Sequence, residues 1–180
     1  MNFKGLLYAL LLLPGISLAA GYASVDYSFS TIKPDERYSS ADVNALQFRF
    51  GTWLNTEQTF GAEFRAALGT NDDDVYGYVP LVTLFPLEVE IDRYYGAYLR
   101  GQFPTTVPVR PYGLLGATRV ETTESFLGSS RSGDYGGLSL GLGVEADIQQ
   151  NIFVSLEYLR AVDGGGDEIS NLSLGIGGRF

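Results

Sequence analysis

The sequence predicts an all-β protein, an eight-stranded antiparallel up-and-down β-barrel, and three observations predict it. The apolar pattern has period 2, and long helical patterns with caps are missing. The segments that carry this pattern are joined by connections that alternate between short and long. One face of the segments is apolar, while the other is rich in Gly and Ser and holds charges of both signs at strand centres. At 180 residues the chain has room for one domain and enough apolar residues for a sizeable buried surface.

Residues 1–19 are expected to lie outside that domain. The stretch MNFKGLLYALLLLPGISLA has Lys4, an apolar run from Leu6 to Leu13, a breaker at Pro14 and a small-x-small site at Ser17-Leu18-Ala19. It reads as a secretory signal peptide cut after Ala19, which leaves 20–180 as the barrel domain. The run is well short of the roughly 20 apolar residues that a spanning helix requires. An exported chain is permitted disulfides, yet this one has no cysteine, so a disulfide framework and thiolate metal sites are excluded.

The strands are expected at about 21–29, 43–52, 59–69, 88–103, 110–121, 136–148, 152–160 and 169–180. The first places Asp26 on its polar face and the second Arg49. In the third, TFGAEFRAALG, Phe60, Ala62, Phe64, Ala66 and Leu68 share one face, and Gly61, Glu63, Arg65 and Ala67 the other. The fourth carries Asp92 and Arg100, and the fifth Arg119 and Glu121. In the sixth, GLSLGLGVEADI, Leu138, Leu140, Leu142, Val144, Ala146 and Ile148 oppose Ser139, Gly141, Gly143, Glu145 and Asp147. The seventh carries Glu157. The eighth, ending LSLGIGGRF, sets Leu172, Leu174, Ile176, Gly178 and Phe180 against Asn171, Ser173, Gly175, Gly177 and Arg179.

Alternation alone does not say which face points outward. The charges Asp26, Arg49, Glu63, Arg65, Asp92, Arg100, Arg119, Glu121, Glu145, Asp147, Glu157 and Arg179 suit a narrow lumen, with Gly and Ser making room for them. Aromatics near strand ends, namely Tyr22, Phe29, Trp53, Phe60, Tyr95, Phe103, Tyr112 and Tyr158, suit interface girdles. The short connections WLNTEQ, PTTVPV and QQN then read as periplasmic turns. The longer ones, SSADV, TNDDDVYGYVP, ETTESFLGSSRSGD and VDGGGDE, read as external loops, with both termini on the periplasmic side. The expectation is a transmembrane barrel with lipid outside.

Three segments carry a resemblance: YYGAYLRGQFP, RPYGLLGATRV, and SLEYLR followed by GGGDEISNLSLGIGGRF. They resemble the small outer-membrane β-barrel proteins related to the transmembrane domain of OmpA, often called porin-family proteins of Gram-negative bacteria. The resemblance implies that Leu172, Leu174, Ile176 and Phe180 form the signal read by the barrel assembly machinery. Gly178 departs from it, standing where a larger apolar residue is usual. Unlike in full-length OmpA, no peptidoglycan-binding domain is expected after Phe180.

Composition narrows the function. A net charge of −9 offers no basic stripe to a nucleic acid. Outer-membrane barrels that are enzymes resemble one another in using a histidine as base or acid, and this chain has none. Glu145 with Asp147, and Glu63 or Glu157 across the lumen, offer a carboxylate pair, but arginines on the same face favour an interior salt-bridge network. Eight strands leave an interior just wide enough for side chains to fill. The acidic loops at 71–74 and 163–168 lack the spacing of a calcium loop, so no metal and no cofactor are expected. Those loops suit contact with lipopolysaccharide through bridging cations. The expected function is therefore a non-enzymatic, monomeric barrel of the outer membrane with a structural or surface-interaction role, whose partners are outer-membrane lipid and lipopolysaccharide. The alternatives are a narrow low-conductance channel for small solutes or ions and a soluble exported barrel that binds an apolar ligand.

Overall fold

The structure is a computed structural model that describes residues 20–33, 41–70, 72–76, 86–126, 129–163 and 168–180. Nine segments form it: β1 (Gly21–Lys33), β2 (Ala41–Trp53), β3 (Phe60–Gly69), β4 (Asp72–Tyr76), β5 (Pro86–Gln102), β6 (Val109–Phe126), β7 (Ser129–Gln149), β8 (Ile152–Asp163) and β9 (Glu168–Arg179). Each pairs antiparallel with its chain neighbour, except that β3 and β4 both pair with β5 and make one interrupted stave. The β1–β9 pairing then closes an eight-stave up-and-down barrel. The seam is hydrogen-bonded to its end: Gly21 N donates to Phe180 O at 2.8 Å, and Phe180 N donates to Gly21 O at 2.9 Å.

One circuit of the ladder fixes the shape. Starting at Val109 on β6, register partners run Ala146, Val154, Ile176, Val25, Phe48, Ala66, Tyr95 and back to β6 at Arg119, ten residues further along. A stagger of that size on eight staves tilts them by about 40° from the barrel axis. Closing a sheet this way removes its edges, which a sheet in hydrocarbon must do because no water is there to satisfy edge amides.

Exposure is inverted relative to a water-soluble protein. Leu142 is 70% exposed and Leu140 60%, whereas Arg49 and Arg100 are 0% exposed. The alternation expected for β3, β7 and β9 places Phe64, Leu140 and Leu174 outward and Glu63, Glu145 and Ser173 inward. This inversion removes the basis for a soluble barrel with an apolar ligand inside, since the interior holds the charges.

The short turns are locally specified. In the β2–β3 turn, Asn55 Oδ1 accepts from the amides of Thr59 at 3.0 Å and Phe60 at 2.9 Å, and Gln58 takes φ 55°. The β7–β8 turn uses Asn151 at φ 70°, a conformation that Asn tolerates better than most residues. The ends opposite the short turns are longer than expected. Most of ETTESFLGSSRSGD is strand, because Glu121–Phe126 of β6 pairs with Ser129–Asp134 of β7. Part of TNDDDVYGYVP is strand as well, as β4 pairs with Pro86–Glu90. Polar hairpins of this kind need only backbone pairing, which the apolar pattern does not report. Asn71 and residues 164–167 of the two acidic loops lie outside the described residues, as do residues 1–19.

Candidate functional site

The inward faces of the staves bring ten charged side chains into one alternating series. Asp26 on β1 meets Arg49 on β2 at 2.5 Å, and Arg49 meets Glu157 on β8 at 3.3 Å. Glu157 accepts from Arg65 on β3, whose Nη2 lies 2.8 Å from Oε2. Arg65 pairs with Glu63 at 2.5 Å, Glu63 with Arg100 on β5 at 3.5 Å, and Arg100 with Glu145 on β7 at 2.7 Å. Glu145 continues to Arg179 on β9, Arg179 to Asp147 at 2.6 Å, and Asp147 to Arg110 on β6 at 2.5 Å. Five carboxylates meet five guanidinium groups, so the series is electrically neutral.

Neutral groups complete it. Arg49 Nε donates to Ser24 Oγ at 2.8 Å and its Nη2 to Ser155 Oγ at 2.5 Å, while Tyr112 OH donates to Glu157 at 2.8 Å. Tyr22 OH donates to Glu63 at 2.5 Å. Arg100 is held differently. Its Nε and Nη1 have no hydrogen-bond partner among the described residues, but the guanidinium lies 3.8 Å from the Tyr112 ring centre, 4.8 Å from Tyr22 and 5.5 Å from Trp53. Desolvated cation–π contacts of this type replace water at a charge that hydrogen bonds do not fully satisfy.

Glycines make these contacts possible. A Cβ on Gly175 would strike the Asp26 carboxylate, and one on Gly143 would strike the Tyr112 ring. The room expected of Gly141, Gly143, Gly175 and Gly177 is thus taken by Leu159, Tyr112, Asp26 and Phe153. Towards the end opposite the short turns the lumen changes character. Val43, Ala45, Ala67, Tyr94, Leu114, Val120 and Leu159 pack together there. A chain of hydroxyls crosses them, with Tyr94 and Tyr98 2.5 Å apart, Tyr98 and Thr118 2.7 Å, and Thr118 and Ser139 2.5 Å. At the mouth on the side of the short turns a cavity of about 560 Å³ opens between Arg110, Asp147, Arg179, Gln149 and Asn151. Buried Tyr22, Trp53 and Phe153 cluster at that end of the staves.

Several expected placements need correction. Arg119 and Glu121 point out of the barrel, because β6 turns Tyr112, Leu114, Thr118 and Val120 inward. Tyr22, Trp53 and Tyr112 are lumenal and not girdle residues, since each offers its ring face to the buried Arg100. Phe29, Phe60, Phe103 and Tyr158 are outward and exposed. Asp92 sits at the register irregularity between Ile91 and Arg93, and its side chain lies outside the described residues. Arg110 belongs to the series although sequence reading missed it; its even-numbered phase with Tyr112 and Leu114 was the available signal. Among the described residues no three acidic side chains are placed to hold a metal ion together. Each carboxylate in the series faces a guanidinium, an arrangement that holds charge in place and suits proton transfer poorly.

Residues 9–180 match the family described as outer membrane protein beta-barrel domain. Among solved structures, Neisserial surface protein A is similar with a TM-score of 0.67 at 18% identity, covering 89% of this chain and 99% of its own. The attachment invasion locus protein Ail of Yersinia pestis gives 0.63 at 20% identity, over 89% and 98%. OprG of Pseudomonas aeruginosa gives 0.58 at 17% identity, over 89% and 96%. No curated protein matches the sequence.

Proposed function

The chain belongs to the outer membrane protein beta-barrel domain family, and from that premise we propose that it is a non-enzymatic, monomeric barrel with a structural and surface-interaction role. The observation that carries this reading is the inverted wall: apolar side chains such as Leu138, Leu142 and Ile176 face out, and a neutral ionic series fills the inside. The wall dissolves the protein in lipid, the filled lumen stiffens it, and the long external hairpins present it to the outside. Residues 1–19 act as its export signal, and Leu172, Leu174, Ile176 and Phe180 on the closing strand are what the assembly machinery engages. All four are outward and exposed, and the last is tied to Gly21 across the seam. Ail has been crystallised in complex with the heparin analogue sucrose octasulfate. The external hairpins here are rich in Asp and Glu, so for them a cationic or cation-bridged partner is the better match.

The test is to express the full chain in a Gram-negative host, isolate outer membranes and compare boiled with unboiled samples by gel electrophoresis. The expected result is a band in that fraction whose mobility shifts on heating. A periplasmic protein without a shift would overturn the reading.

A further inference from the structure

The lumen series ends in an open bowl at the mouth on the side of the short turns. Its volume of about 560 Å³ falls in the range of small-molecule sites, roughly 300–1,000 Å³. Two short turns wall it from opposite sides of the barrel: Gln58 lines it from the β2–β3 turn, and Gln150 and Asn151 from the β7–β8 turn. Main-chain hydrogen bonds fix the rim. Gln102 N donates to Thr59 O at 2.7 Å, Asp147 N to Pro108 O at 2.9 Å and Arg179 N to Asn151 O at 2.8 Å, so each short turn is tied to a neighbouring stave. A bowl built this way is formed before anything enters it.

Its lining is polar but has no spare charge. Asp147 accepts from Arg179 at one carboxylate oxygen and from Arg110 at the other, and Arg179 also donates to Glu145. Both oxygens of Asp147 are thereby taken, which leaves none for a metal ion. The series to which the two arginines belong is neutral, which leaves no cationic excess for an anion. The open groups are carboxamides. Gln58, Gln149, Gln150 and Asn151 are exposed, and their side chains have no protein partner among the described residues.

Backbone strain falls in the same place. Gln58 at φ 55° and Asn151 at φ 70° are the two non-glycine residues with left-handed backbone among the described residues, and both line the bowl. Asn tolerates that conformation, whereas at position 58 a glycine would make the same turn without the steric cost. The turn alone gives no reason for the Gln58 side chain.

We propose that the bowl binds an uncharged saccharide. A sugar hydroxyl both donates and accepts, and a carboxamide offers both functions in one plane. The four carboxamides, with the edge of Arg110 not used by Asp147, therefore match a run of neighbouring hydroxyls. Ile148 and Phe180, 59% and 69% exposed, also line the bowl and give the C–H face of a sugar ring an apolar surface to pack on. The volume admits a disaccharide. The proposal goes beyond the structural role in giving the barrel a ligand, and under the outer-membrane reading the bowl opens to the periplasm.

The test uses the full chain with isotopically labelled side-chain amides, purified folded from the cell fraction that holds it and kept in a sugar-free detergent. Maltose and N,N′-diacetylchitobiose, two uncharged disaccharides, are titrated while the amide signals are followed by NMR. Saturable shifts are expected with at least one of them at the carboxamides of Gln58, Gln149, Gln150 and Asn151. Q58A/Q150A is expected to raise the dissociation constant about fivefold or more, and Q150A alone serves if the double variant loses the heat-dependent mobility shift. E57Q, in the same turn but outside the bowl, is expected to leave binding unchanged. No saturable shift with either sugar, equal binding by the intact chain and the carboxamide variants, or tighter binding of galacturonate or of N-acetyl-dialanine amide would each overturn the proposal. A protein absent from outer membranes would defeat the membrane reading, whereas a folded barrel that binds neither sugar would defeat the bowl alone.

Discussion

In the half of the lumen nearer the short turns, Asp26, Arg49, Glu63, Arg65, Arg100, Glu145 and Glu157 are buried and held by opposite charges. In the half opposite the short turns, Val43, Ala45, Ala67, Val120 and Leu159 are buried against one another, with hydroxyls and the amides of Gln47 and Asn171 for polarity. The same staves line both regions. The difference lies in what each region loses when a side chain is removed. A guanidinium taken from the lower half strands a carboxylate in a low-dielectric space, while a leucine taken from the upper half leaves only a void. Sealing and stiffness are thus separate properties of one lumen, the first supplied mainly by packing and the second by charge.

The sharpest test of that contrast is Arg65→Ala, which removes the nearer of the two guanidinium partners of both Glu63 and Glu157. It should destabilise the barrel by about 3–5 kcal/mol, read as the urea midpoint of unfolding in lipid vesicles. A loss under about 1 kcal/mol would show the lower half to be wet and its charges screened. Leu159→Ala in the upper half should cost about 2–3 kcal/mol in the same measurement. If it cost more than Arg65→Ala, the assignment of stiffness to the ionic half would fail. The smallest effect belongs to the hydroxyl chain: Thr118→Val should cost about 1 kcal/mol by removing the link between Tyr98 and Ser139. A neutral or stabilising result would mean that the upper half gains nothing from its polarity.

Much of this architecture was legible from side-chain alternation. Phe64 against Glu63, Leu140 against Glu145 and Leu174 against Arg179 carry a period of two that the closed sheet keeps along its apolar wall, because a slip there would reverse every face. The lumen was less legible, for the rule that assigned faces sorted residues by polarity. On β6 the inward set contains Tyr112, Leu114 and Val120, so Arg119 looked lumenal when it points outward. Tyr22 and Trp53 looked like girdle aromatics because sequence does not show that a buried arginine needs their ring faces. The external reach of β6 and β7 was hidden for a different reason. Above the bilayer neither face meets lipid, and Ser, Thr and Gly can pair as strands without any apolar signal.

The seam between Gly21 and Phe180 has a consequence for assembly when it is set beside the ionic series. Glu157 belongs to β8, but both of its arginine partners, Arg49 and Arg65, lie on staves beyond that seam. In a sheet still open between β1 and β9 those groups stand towards opposite ends of the ribbon, and Glu157 is left without a guanidinium while Arg49 keeps Asp26 and Arg65 keeps Glu63. Ring closure and the pairing of Glu157 are therefore one event. A half-finished barrel released into the bilayer would have to carry bare charge with it, so the lumen makes completion a condition of entry.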